Sequence, residues 1–181
     1  GQARFVHPRV DLEKRFARLA ALREAAGMLH WDSAVMMPEG GSGARSEQLA
    51  ALDVTCHQML TDPRLGELIR VAESGQGALD DWQAANLREM RRQWLHATAV
   101  PERLVEALTR ATRRCEMAWR SARPASDFQA VKPNLQEVLD LVREEAQAKS
   151  EALGVSPYDA LLDQYEPDGS SAHIDTVFDD L

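Results

Sequence analysis

The stretch His30-Trp31-Asp32-Ser33-Ala34-Val35-Met36-Met37-Pro38-Glu39-Gly40-Gly41 separates two runs of helical periodicity, and its reading decides the fold. Before it, Leu12, Phe16, Leu19, Leu22, Ala26 and Leu29 recur at steps of three or four, the apolar stripe of one helix. After it, Leu49, Leu52, Cys56 and Met59 trace the stripe of a second. Pro38 cannot continue a helix ladder, and Gly40, Gly41 and Gly43 loosen the backbone, so the chain turns between the two runs. The pattern predicts a long helical hairpin with Trp31, Met36 and Met37 packed at its bend. Asp32 falls among them, where a buried carboxylate needs hydrogen bonds. It is expected to tie the bend together by accepting hydrogen bonds from backbone donors; lining a substrate groove or orienting a partner such as Arg45 is the alternative role.

Working outward, cap signals and apolar stripes repeat. Asp62-Pro63 reads as the N-cap and first residue of a helix carrying Leu65, Leu68 and Ile69, ended by Ser74-Gly75-Gln76-Gly77. Leu79, Trp82, Leu87, Met90 and Trp94 mark the inward side of the next, with Arg88, Arg91 and Arg92 opposite. Val100-Pro101-Glu102 opens another, on which Leu104, Leu108, Ala111, Cys115, Ala118 and Ala122 form one row and Val105, Thr112 and Trp119 a neighbouring one. Asp127 to Ala130 is expected to make a short turn before Pro133 starts a helix striped by Leu135, Val138, Leu139, Val142 and Ala146, with Gly154 as its stop. Ser156-Pro157 caps a further helix, with Tyr158, Leu161, Leu162 and Tyr165 inward and Asp159, Asp163 and Glu166 outward. Ile174, Val177, Phe178 and Leu181 begin a last helix that meets no stop signal, which suggests a truncated pattern. No segment alternates with period two. The expected fold class is all-α: a multi-helix array opened by a long hairpin, without significant sheet, forming a single helical region over 1–181.

Composition narrows the function. Hydrophobic residues at 44% and charged residues at 28% describe a globular protein. A net charge of -8 argues against binding nucleic acid through its phosphates. No apolar run reaches the roughly 20 residues that span a bilayer, so no membrane partner is expected. Gly1-Gln2-Ala3-Arg4 is followed by no apolar signal core, and Gly1 reads as an expression scar. Cys56 and Cys115 stand in no metal spacing and fit the cytoplasm.

Several of these residues carry a resemblance. Trp31-Asp32, Met37-Pro38, Gly40-Gly41, Arg45 and Gln48-Leu49 resemble the N-terminal signature of the thermostable carboxypeptidase Taq family, zinc-dependent metallocarboxypeptidases. Arg88-Glu89-Met90-Arg91-Arg92, Val100-Pro101 with Leu104-Val105, Ala118-Trp119 with Ala122-Arg123, Asp127-Phe128, and Pro133 with Leu135 follow in the family's order. The run Tyr158-Asp159-Ala160-Leu161-Leu162-Asp163-Gln164-Tyr165-Glu166-Pro167 is the most specific match. Ser33 and Val35 depart from an expected Gln and Thr, and Asp168 stands where a Gly is usual. The resemblance implies an all-helical enzyme with a deep groove that releases C-terminal residues from peptides through a zinc-bound water. Trp31, Asp32, Met37, Pro38 and Arg45 would be structural or groove-lining positions.

The chemistry of that family needs two His four apart on one helix, so that both imidazoles face one zinc, with a Glu after the first as general base. Here His7, His30, His57, His96 and His173 include no such pair. No catalytic or metal-binding residue is therefore expected in this chain, and no cofactor, although zinc is expected for the full-length family enzyme. The chain reads as the N-terminal part of such an enzyme, forming a wall or lid of the groove and inactive alone. Its expected partners are the missing C-terminal part and a second copy that covers exposed apolar surface. The alternative is a stand-alone helical module for binding or regulation, derived from the same family.

Other clusters have plainer readings. His30 is a lone helical histidine. Cys56 and His57 are adjacent and diverge by about 100° on a helix. Arg110, Arg113, Arg114, Arg120 and Arg123 read as a solvated face paired with nearby acids. Asp159, Asp163 and Glu166 lack the spacing of a calcium loop.

Overall fold

A computed structural model of the chain describes residues 8–75 and 79–181. The expectations for Gly1–Arg4, for His7 and for the Gln76-Gly77 helix end lie outside the described residues. Among the described residues the regular structure is helical throughout, with no strand, and the fold is all-α. The helices are α1 (Pro8–Val35), α2 (Ser42–Thr61), α3 (Pro63–Ser74), α4 (Asp81–Ala99), α5 (Glu102–Ala122), α6 (Phe128–Leu153), α7 (Pro157–Leu162) and α8 (Ser171–Asp179). A single 3-10 turn, Glu39–Gly41, joins α1 to α2. No helix among the described residues is long and apolar enough to cross a membrane.

The chain divides into two compact units, Gly1–Ala97 and Thr98–Leu181. In the first, α1 packs on α2 and α3. Leu12 and Leu19 of α1 meet Cys56 and Leu60 of α2, Leu65 and Ile69 of α3, and Leu87 of α4 in one buried core. Phe16, Met90 and Trp94 pack against it. The apolar stripes of α1, α2 and α3 therefore converge as their spacing requires. Close approach of α4 to α3 depends on Gly66, where a Cβ would lie 2.7 Å from the Trp94 ring. In the second unit α5 and α6 form a hairpin and α7 packs on α6. Its core contains Leu104, Ala111, Ala122, Val131, Ala146 and Ala160.

Local chemistry fixes the helix ends. Asp62 accepts a hydrogen bond from the Arg64 N–H at 3.0 Å, with Pro63 in the first turn, where its missing N–H costs nothing. Ser156 caps α7 by accepting from the Asp159 N–H at 3.1 Å, and Ser170 caps α8 through the His173 N–H. Gly154 ends α6 at φ 72°, the left-handed conformation that glycine adopts without strain.

Three expectations need correction. The segment from Asp127 to Ala130 is not a turn ahead of a helix that starts at Pro133. Asp127 accepts from the Ala130 N–H and starts α6 at Phe128, so Pro133 lies inside the helix, late in its second turn. Trp82 is 81% exposed and is not on the inward side of α4, because it stands in the first turn, ahead of the core contact at Leu87. Tyr158 and Tyr165 are exposed at 67% and 88%. The six-residue α7 buries Ala160 instead, and it ends before the inward row can reach Tyr165.

Candidate functional site

The signature residues meet at the α1–α2 bend. Pro38, at φ -68° and ψ 152°, is extended and ends the helical path, and the 3-10 turn then feeds α2. The Asp32 carbonyl accepts from the N–H groups of Met36 (2.9 Å) and Met37 (2.8 Å), which closes the end of α1. Arg45, one turn into α2, reaches back across the bend. Its guanidinium donates to the Asp32 carboxylate, to the Leu29 carbonyl at 3.1 Å, and to Gln48 Oε1 at 2.9 Å on its own helix. Ser33 Oγ donates to the same Leu29 carbonyl at 2.8 Å. Gly41 leaves room for the Met37 side chain, since a Cβ there would lie 3.1 Å from Met37 Cγ.

The bend is thus a clasp between one carboxylate and one guanidinium, both part-buried. It is not the apolar junction that the sequence suggested: Met37 is half-buried, but Trp31 and Met36 are exposed, and so is Pro38. With Met28 and Val35, Trp31 and Met36 form an exposed apolar stripe over the last turns of α1. Each of Trp31, Asp32, Met37, Pro38 and Arg45 therefore belongs to this bend or flanks it.

The remaining candidates are dispersed. His30 is exposed on α1. Burial pushes the Cys56 thiol up, away from the thiolate that nucleophilic chemistry needs. Among the described residues no three His, Cys, Asp or Glu side chains come together to hold a metal ion. On α5, Arg110 pairs with Glu106, Arg120 with Glu116, and Arg114 with Glu137 of α6 at 2.7 Å. The acidic strip is spent on backbone. Asp159 accepts from the Ser171 N–H at 2.7 Å, which helps to hold its carboxyl below the ordinary range, and Asp163 accepts from the Asp168 N–H at 2.9 Å. Together they fix the turn between α7 and α8. One further feature escaped the sequence reading: an apolar groove of about 600 Å³ between α5 and α6, into which Cys115 and Trp119 project. Its lining draws on both apolar rows of α5 and on Leu135 and Val138 of the α6 stripe.

Residues 11–181 match the family model described as carboxypeptidase Taq (M32) metallopeptidase. The chain belongs to this family. Thermostable carboxypeptidase 1 of Thermus thermophilus is 37% identical over 182 residues, which cover 95% of this chain and 35% of that protein. Thermostable carboxypeptidase 1 of Pyrococcus furiosus is 30% identical over 169 residues, covering 92% and 33%. Among solved structures, Trypanosoma cruzi metallocarboxypeptidase 1 superimposes with a TM-score of 0.86 at 37% identity, over 96% of this chain and 34% of that one. The chain spans about a third of the length of the carboxypeptidase Taq relatives it matches.

Proposed function

We propose that these 181 residues are the N-terminal helical part of a zinc-dependent metallocarboxypeptidase that removes residues one at a time from the C-termini of peptides. In this reading the α1–α2 hairpin contributes to a wall or lid of the substrate groove, and the zinc and its general base are supplied by polypeptide outside this chain. One observation carries the reading: nearly the whole chain aligns with the family, yet it covers about a third of each relative. The scatter of its histidines agrees with it. The Asp32–Arg45 clasp would hold the hairpin bend in a fixed shape while leaving Trp31 exposed. The free thiols of Cys56 and Cys115 support a reducing compartment, the cytoplasm.

The test uses the purified chain with added zinc and an N-blocked dipeptide. The expected result is no stoichiometric zinc and no released amino acid. Turnover by this chain alone would overturn the assignment of catalysis to other polypeptide. A chimera in which the chain replaces the matched third of the Thermus enzyme should release C-terminal residues. A well-folded but silent chimera would favour a binding or regulatory module instead.

A further inference from the structure

The second unit lacks the large core that the first one has. Among its buried apolar residues Val100, Leu104 and Val131 are joined only by alanines, while Trp119 and Phe128 stand 45% and 60% exposed. These two aromatic residues, with Cys115, Val131, Leu135 and Val138, line the groove of about 600 Å³ between α5 and α6. Arg123 also lines it and lies over the Trp119 ring, 5.1 Å from its centroid. Two helices in a hairpin present a groove along their length that a third helix fills by ridge-into-groove packing.

We infer that this groove is the seat of an amphipathic helix from the portion of the family polypeptide that the 181 residues do not include. The inference rests on the proposed function and adds to it a specific surface and occupant. About two thirds of the Thermus relative lies outside the match, so there is ample chain to fill the groove. Such a segment is joined covalently to the groove in the longer protein, and its effective concentration there exceeds that of a second copy in solution. An all-α region offers no sheet edge, so side chains alone must hold the occupant, as they do in helix-in-groove recognition.

Cys115 is a built-in reporter, because it lines the groove, whereas the other thiol, Cys56, is buried in the first unit. Iodoacetamide labelling of the Cys115 peptide, followed by mass spectrometry, would compare the 181-residue chain with the Thermus chimera. The expected result is labelling slowed about tenfold or more in the chimera, as for a site reached only by local opening. Phe128→Glu should leave the melting temperature of the 181-residue chain unchanged, since Phe128 is exposed in the first turn of α6, where an acid is well tolerated. In the chimera the same change should lower the melting temperature and restore labelling.

Equal labelling of Cys115 in the two proteins would overturn the inference even if the chimera is an active carboxypeptidase. Protection in a folded but silent chimera would uphold the inference while the catalytic assignment fails. Protection already present in the 181-residue chain, with a dimer on sedimentation, would make a second copy the occupant and overturn it. Should the chimera fail to fold, the chain and the remaining Thermus polypeptide can be co-expressed as separate chains. Copurification lost on Phe128→Glu or Leu135→Glu supports the inference. Copurification that survives both changes, or no copurification at all, overturns it.

Discussion

The first unit buries leucine and isoleucine in one core, whereas the second buries mainly alanine. Both are built from amphipathic helices with recognisable caps. In the first, four helices each contribute leucine, isoleucine or cysteine to one buried core. In the second, one long hairpin and two short helices supply too few facing stripes. Periodicity states which side of a helix is apolar, and it says nothing about whether any element lies against that side. Self-sufficiency is therefore a property of the set of helices and not of any one of them.

Changes deep in the first unit sharpen this contrast most. Ile69→Ala, at a residue 1% exposed, should cost about 2–5 kcal/mol by denaturant unfolding, as core truncations do. Phe128→Ala in the second unit should stay within about 0.5 kcal/mol in the 181-residue chain. Similar losses at both positions would break the comparison. Next in size is Gly66→Ala. The gain in helix propensity is about 1 kcal/mol, but a methyl 2.7 Å from the Trp94 ring forces α3 and α4 apart, and overpacking of this kind costs about 1–3 kcal/mol. The net expectation is a lowered melting temperature. Gly27→Ala on α1 has open space around it and should raise stability by about 0.5–1 kcal/mol.

The acid side of the stability profile tests the first unit further. Arg64, through its guanidinium and its backbone N–H, and then Arg15 hold the Asp62 carboxyl well below the ordinary carboxylate range. Its folded-state value thus lies under the unfolded value of about 3.9. That difference contributes stability above the unfolded value, and the contribution is lost as the pH falls through the folded one. Asp62→Ala should cost about 1 kcal/mol at neutral pH through loss of the cap, and it should flatten the acid limb of unfolding monitored by circular dichroism. An unchanged acid limb would show that the Arg15 and Arg64 contacts do not bear on folding.

Much of this was legible in the residues. Asp62-Pro63, Ser156-Pro157 and Gly154 announced helix ends because each supplies a donor, an acceptor or a backbone angle that a helix terminus needs. The stripes of α1 to α3 announced the first core. For Asp32 the sequence favours backbone donors, whereas its carboxylate takes the Arg45 guanidinium, because Arg45 stands one turn into α2 and reaches back across the bend. The exposure of Trp31, Tyr158 and Tyr165 was not legible, because aromatic character predicts burial only where something is present to bury it. Asp127 is a cap and not a turn residue, and Pro133, which resembles a first helical residue, lies five positions past the true start at Phe128. Gly66 gave no signal at all, since the ring it accommodates lies 28 positions further along the chain.

Asp168 has a positive φ of 63° at the turn after α7, in the place where the family resemblance called for glycine. Its N–H is engaged by Asp163, so the left-handed backbone is held from outside the residue itself. Aspartate is among the few side chains that tolerate this conformation, at an expense glycine avoids. What the position selects is thus a torsion angle and not an amino acid. An engineer could reset it to glycine to relieve conformational tension, and a β-branched replacement there would break the turn.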